Sequence, residues 1–447
     1  MVSDAQSASA PFVRREVLAL GALCVLGCAM TVFVAAGPWI IRTYGFGLFI
    51  PAMAASGLLA IAATSLAPAL PARVGLPIVL GIAIVMRLLL VTEEPFLSTD
   101  IYRYVWDGRV QGAGINPYLH VPASEALAAL RDNAIYPNIN RADYAVTAYP
   151  PVAQMFFLAV TRVSETLVAM RLALVLCEAI IVAVIIDLLR LLRLPATAVV
   201  AWAWHPLAIW EIASSGHVDA LMLALLMLGL WLAVRHRRVA GAVAVALATL
   251  TKPYAAVLLP LFWKPWDWRA PLAAMVAALA CYLPYLGAGT GVLGFVASGY
   301  LAEEGLSGGD GFWLVALTRA FAGNVPGLTL LYLLVAVTVM GGLVARVVTR
   351  AEPSAQTMLQ DAALLLMAGL FFVSPNYAWY VLAVVPFTVL GGGAPAWALS
   401  LAAILLYRPL TLPDNDLAWK SLATLPFVLT LAGTLLSARL TPSRQRA

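Results

Sequence analysis

Long apolar runs alternate with short polar, often basic, connections from one end of the chain to the other. Runs of about 20 apolar residues have the length of a transmembrane helix. The pattern predicts spans over 17–37, 47–67, 74–91, 167–189, 196–213, 220–234, 270–286, 328–344, 358–373, 380–390, 396–406 and 422–436. None alternates as barrel strands do, and in lipid only helices or closed barrels satisfy the backbone. The expected fold is an all-α polytopic membrane protein of about 11–13 transmembrane helices. Two segments interrupt the pattern. Residues 92–151 mix polar, aromatic and charged positions and lead into an amphipathic piece over 152–164. Residues 239–263 are long enough to cross once, yet basic connections flank both sides. Pro253 points instead to a broken or re-entrant pair of short helices around 251–254, because proline interrupts a helix and irregular backbone at membrane depth must line a cavity.

Composition narrows the class. Of 447 residues, 63% are hydrophobic and only 11% charged, with a mean hydropathy of +0.92. Soluble domains are roughly a quarter charged, so no large soluble domain fits, and 1–447 read as one membrane domain. The net charge of +5 does not imply nucleic acid, because the basic residues sit in short connections, where they set topology. Arg14, Arg15, Arg73, Arg190, Arg193, Arg235, Arg237, Arg238, Lys264, Arg269, Arg346, Arg350, Arg439, Arg444 and Arg446 should face the cytoplasm. Both termini are then cytoplasmic. Residues 92–151, 214–219, 287–312 and 374–379 converge on the outer face of a cytoplasmic (inner) membrane, toward the periplasm or exterior. The run over 17–37 is longer than the core of a cleavable signal. Cys24, Cys28, Cys177 and Cys281 lie inside apolar runs and read as small buried hydrophobes.

The segment LSTDIYRYVWDGRVQ, residues 97–111, carries the richest chemistry. In a helix, Asp100, Arg103 and Asp107 fall near one face, with Tyr102, Trp106 and Arg109 beside it. This mixes a carboxylate base with guanidinium groups suited to phosphate and aromatics suited to sugars. The bland alternative is an interfacial helix with internal salt bridges. The length of the loop favours a role. Lys252 beside the helix break needs an anionic partner or must snorkel to an interface. His217 and Asp219 either orient a substrate or cap the next helix. His205 and Glu211 read as structural, and Arg87 and Glu178 as an intramembrane pair. Trp379 and Tyr380 either anchor at the interface or line a site. Glu303, Glu304 and Asp310 fall in a Gly-rich outer loop that reads as a solvated connector rather than a lid.

The string TDIYRYVWDGR ending at Arg109, INPY ending at Tyr118 and AYPP ending at Pro151 resemble the first large outer loop of GT-C fold glycosyltransferases. The nearest resemblance is to the GT87-type polyprenol-phosphate-mannose-dependent mannosyltransferases. WHPLAIWEIASSGHVDA (204–220), ATLTKPY (248–254) with LLP (258–260), and SPNYAWY (374–380) resemble later elements of that family, although Ala378 stands where proline is usual. The resemblance covers residues 95–390. It implies a hexose, with mannose foremost, moved by inverting displacement from a polyprenyl-phosphate sugar to a lipid, glycan or protein acceptor. It also implies that an acidic residue of the first loop is the base. Asp100 corresponds to it by position, but lacks the family's neighbouring second acid, which leaves Asp107 as the alternative and a divalent metal open. Candidate substrate-binding residues are Arg103, Tyr104, Arg109, Asn116, Tyr149, His217, Asp219, Lys252 and Tyr380, with Arg103, Arg109 and Lys252 the candidate phosphate partners; no metal ligand or certain cofactor is assigned. A transporter or flippase for a lipid-linked substrate is the rival, though no repeat supports it. A transferase moving an aminosugar or phosphate-containing group to lipid A-like acceptors would share fold and donor. A nucleotide-sugar donor is not expected without a Rossmann-like unit.

Overall fold

The structure, a computed structural model, describes residues 3–408 and 416–440. Arg444 and Arg446 of the expected cytoplasmic set lie outside them. The described residues are helical, with no strand beyond an isolated bridge between Lys264 and Asp267. Helices α1 (Ser3–Tyr44), α2 (Phe46–Leu66) and α3 (Ala72–Leu88) open the chain, and α4 (Asp100–Gly112), α5 (Pro151–Thr161) and α6 (Leu167–Leu191) follow. Among the described residues seven helices are long and apolar enough to cross a membrane, and seven shorter apolar helices of 10–17 residues accompany them. The chain is an all-α polytopic membrane protein. Outward-facing Leu, Ile and Val, such as Leu58, Leu176 and Val337, suit lipid contact, while one apolar core runs from Ala19 to Phe427.

Several expected spans are not plain helices, for local reasons. Residues 196–213 break into a 3-10 turn (Ala196–Val199), short helical turns and a π-helical turn (Ile209–Ser214). Pro206 cannot continue the helix that ends at Ala203. The segment sits in the core, with Trp202 and Trp204 fully buried. The expected break at 251–254 is present. Helix Arg238–Thr249 ends, Lys252 is extended (φ −142°, ψ 121°), and Pro253–Phe262 continues as a 3-10 helix. Residues Ala378–Thr388 are likewise 3-10 rather than α. No disulfide joins the cysteines; Cys177 is buried as expected, whereas Cys24 and Cys281 are half-buried and Cys28 is exposed.

Charge placement gives the molecule two chemically different ends. Arg238 pairs with Asp267 and Glu352, Arg350 with Asp361, and Lys264 donates to the Arg350 carbonyl. These basic connections thus meet one another. Helix Ala355–Val373 runs from there to Ser374, which lines a cavity with residues of 97–100 and 140–150. Within the core, Arg87 and Glu178 pair as expected, at 2.6 Å, and the Arg87 guanidinium also donates to the Ala203 carbonyl.

Candidate active site

A cavity of about 790 Å³ opens where residues 97–100, 140–150, 252–257, 296–311 and 366–380 meet. Asp100 reaches it as the first residue of α4, where the positive end of the helix dipole favours a carboxylate. Asn140 Nδ2 donates to its Oδ1 at 2.7 Å, and the Tyr149 hydroxyl donates to its Oδ2 at 3.0 Å. Burial pushes the Asp100 carboxyl up, but the charges of His217 and Lys252 and these two hydrogen bonds outweigh it. The net effect holds Asp100 below the usual aspartate range. Asp100 is therefore an ionised acceptor facing space.

Lys252 enters the same cavity from the broken segment. Its Nζ lies 3.2 Å from Asp219 Oδ2 and over the rings of Tyr149 and Tyr380, at 5.6 and 5.4 Å from their centroids. The Tyr254 hydroxyl donates to Asp219 Oδ1 at 2.7 Å. Asp219 begins helix Asp219–Val234, yet its carboxylate turns to Lys252 and Tyr254 rather than to the helix end. The Lys252 ammonium is thus a paired, membrane-domain cation with one side open to the cavity, and it has not snorkelled away. Gly216 (φ +69°) turns the chain into this helix, and a Cβ there would stand 2.5 Å from Ile101. His217 Nδ1 lies 2.6 Å from Glu211 Oε2, and its ring packs on Trp379 at 4.4 Å. His217 itself does not line the cavity; Trp379 and Tyr380 do.

Other expected site residues lie elsewhere. Asp107 is 1% exposed. It accepts from Arg103 Nε (2.8 Å) and Gln154 Nε2 (2.9 Å), while Arg103 also donates to the Ala145 carbonyl. Arg109 pairs with Asp132 and Glu165 at 2.8 and 2.7 Å. Asn116 donates to the Tyr285 carbonyl and accepts from Tyr118 N, closing a turn. Tyr104 is fully buried, stacked on Phe157 at 4.5 Å and edge-on to Tyr149 at 4.9 Å. The structure thus brings Asp100, Tyr149, Lys252 and Tyr380 to one cavity, with Asp219 immediately beneath. Asp107, Arg103, Arg109, Asn116 and Tyr104 brace the loop around it. His205 accepts from Leu207 N and meets Ser400, a structural role.

Sequence reasoning missed Asn140, Tyr254 and Tyr300, and set aside Glu303 and Glu304. Asn140 sits in irregular loop with no periodicity to flag it; Tyr254 was quoted in a motif without a role. Glu303 is exposed, as a solvated connector residue would be, yet it has defined partners. It accepts from Arg141 and Tyr144, and with Glu304 lines the cavity. Among the described residues no group of three or more His, Cys, Asp or Glu side chains comes together as the ligands of a metal ion would, and the partners of Asp100 are an amide and a phenol.

A polytopic helical membrane protein that brings a carboxylate and a lysine together in one cavity has the build of an integral membrane enzyme. Residues 17–266 match the family model described as alpha-(1->6)-mannopyranosyltransferase, N-terminal domain (MptA_B family), and the chain belongs to that family. It is accordingly a mannosyltransferase, with a sugar donor and an acceptor as substrates, and the family gives no support to the transport reading. No curated protein and no solved structure matches it.

Proposed function

We propose that the protein moves mannose from a polyprenyl-phosphate carrier to a hydroxyl of a glycan acceptor, on the outer face of the cytoplasmic membrane. The reading takes 1–447 as one GT-C-type domain of the kind the GT87 resemblance implies, with 92–151 as its catalytic loop. The observation that carries it is Asp100, held ionised by Asn140 and Tyr149 in a cavity that Lys252 also lines. The family's description supports an α-(1→6) linkage, so the attacking group is the primary hydroxyl of a terminal mannose. Inversion to an α-linked product asks for a β-linked donor.

Transfer then needs few groups. The acceptor oxygen attacks the anomeric carbon and forms the new C–O bond as the bond from that carbon to the phosphate oxygen breaks. Asp100 takes the hydroxyl proton as that bond forms. The electron pair of the broken bond leaves on the polyprenyl phosphate, whose growing charge Lys252 faces from a site of low dielectric. Tyr149 and Tyr380 flank that ammonium and limit its motion. Asp219 and Tyr254 hold it from behind.

The test is mannosyl transfer by purified full-length protein from a panel of polyprenyl-phosphate sugars to an α-mannoside. Transfer from polyprenyl-phosphate mannose, lost in Asp100→Asn with folding intact, is the expected result. Transfer from another carrier class, or an Asp100→Asn variant with undiminished rate, overturns the reading.

A further inference from the structure

The cavity has two chemically unlike ends. At one, Lys252 offers a cation and two tyrosine faces. At the other, Glu303 and Glu304 bring carboxylates, and Asn376 and Tyr377 bring an amide and an aromatic face. Asn376 Nδ2 donates to Glu304 Oε2 at 2.8 Å, while Lys420 Nζ, from the last helix, donates to Asn376 Oδ1 at 2.7 Å. That amide is therefore fixed on both sides. Tyr377 stacks on Trp379 at 4.3 Å and 8°, a rigid two-ring platform. Arg141 pairs with Glu303, and Lys420 sits behind Asn376, so the charges there are balanced; a carboxylate, an amide and an aromatic face suit a neutral ligand with hydroxyls on its edge and C–H groups on its face.

Asp100 lines the same cavity and is tied to the second end through adjacent residues. Asn140 holds Asp100, and its neighbour Arg141 holds Glu303 at 2.8 Å. The cavity's about 790 Å³ falls within the roughly 300–1,000 Å³ of pockets that enclose whole drug-sized ligands, which is more room than a single hexose requires. The residues of the first end other than Tyr380 fall within the family match at 17–266, whereas Glu303, Glu304, Asn376 and Tyr377 come from beyond it. This second end is a property of this chain's own C-terminal half.

We infer that the Glu304–Asn376–Tyr377 end is an acceptor subsite, which binds the sugar next to the one whose hydroxyl is attacked and so makes the enzyme select acceptors of at least two sugars. The inference rests on the proposed mannosyl transfer. It assigns these three side chains to specificity and leaves proton removal to Asp100. Glu304 and Asn376 take the hydroxyl edge of the penultimate sugar, and the Tyr377 ring takes its C–H face.

The experiment is steady-state transfer by the full-length protein, with polyprenyl-phosphate mannose as donor and α-linked mono-, di- and trimannosides as acceptors. Wild type should prefer the disaccharide to the monosaccharide by about tenfold or more in kcat/KM, the order set by one hydrogen bond to a charged group. Glu304→Gln keeps the shape and the acceptor for Asn376, and Tyr377→Ala removes the platform from the cavity wall. Both should collapse that preference through the acceptor KM, with the donor KM held. Absence of a preference in wild type, or equal losses for donor and acceptor in the variants, overturns the subsite. If wild type uses no polyprenyl-phosphate donor, the proposed function fails separately. The subsite is then read from dimannoside binding to the full-length protein by saturation-transfer NMR. Binding weakened by Glu304→Gln but not by Asp100→Asn sustains it; absence of binding to wild type ends it.

Discussion

The two aspartates of α4, one at its first residue and one in its middle, lie on nearly the same face two turns apart and do different things. Asp100 opens on the cavity and is held by two neutral donors, Asn140 and Tyr149. Asp107 is sealed in the loop's interior and is held directly by the Arg103 guanidinium and by Gln154. A neutral donor steadies a carboxylate and leaves it a charge to use, whereas a close buried guanidinium spends that charge on the fold. The lesson is that helical spacing assigns residues to a face but not to a depth. Depth separates a base from a brace here.

The sharpest way to break that comparison is to remove each charge in turn. Asp100→Asn should reduce transfer by about 10²–10⁴-fold, the usual share of a general base, with a smaller fall in the thermal midpoint in detergent than Asp107→Asn gives. Asp107→Asn should leave transfer within severalfold but lower the midpoint. If the properly folded Asp107 variant lost transfer as completely as the Asp100 variant, the distinction would collapse. Next in size is Lys252→Met, which strands the Asp219 carboxylate in the core. Breaking a buried pair on one side costs about 3–5 kcal/mol. Adding Asp219→Asn should restore most of the stability and none of the rate, since phosphate contact and fold support are separate duties of Lys252. A double variant that regained transfer would deny Lys252 its role at the leaving group.

A smaller effect tests how the brace is packed. Gly108 lies one residue past Asp107, and a Cβ there would sit 2.5 Å from Thr161 Oγ1 and 2.6 Å from the Phe157 carbonyl. Helices α4 and α5 approach closely because that position has no side chain. Gly108→Ala should cost about 1–3 kcal/mol by overpacking, read as a lowered midpoint, while the folded fraction keeps its donor KM. An unchanged midpoint would show that α5 can move without consequence.

Much of this was legible in the chain. Run lengths gave the membrane class, Lys252 with Pro253 gave the helix break, and the isolated charges Arg87 and Glu178 gave their own pairing, because each is a local or strongly constrained signal. Asp100, Tyr149, Lys252 and Tyr380 were named together from motifs and do line one cavity. Arg103 and Arg109 were named with them for phosphate contact, but each meets a carboxylate within the loop first. What failed was long-range placement. Nothing near Asn140 in sequence announces a partner 40 residues away, and Glu303 lies 162 residues from Arg141. Where about 11–13 crossing helices were expected, the described residues hold seven long apolar helices and seven shorter ones. Apolar stretches such as 196–213 and 380–390 are buried 3-10 and π segments, shortened by internal prolines, which hydropathy alone does not separate from spans.

The finest test of the comparison is the pH dependence of the base. Burial alone would raise the Asp100 carboxyl, but the His217 and Lys252 charges and the Asn140 and Tyr149 hydrogen bonds bring it below the 3.8 of an ordinary aspartate. With the folded value under the unfolded one, the ionised carboxylate contributes stability above the unfolded value and loses it as pH falls through the folded value. The acid limb of kcat/KM should therefore lie below the ordinary aspartate range, provided the fold survives there. Tyr149→Phe removes one donor and keeps the ring over which Lys252 sits. Its limb should move upward by the worth of one hydrogen bond, about 0.5–1.5 kcal/mol, with the plateau rate nearly kept. A limb that stayed in place would mean the phenol does not hold the base. A limb that moved downward would mean the group titrating in transfer is not Asp100, and the contrast between the two aspartates of α4 would have to be drawn the other way.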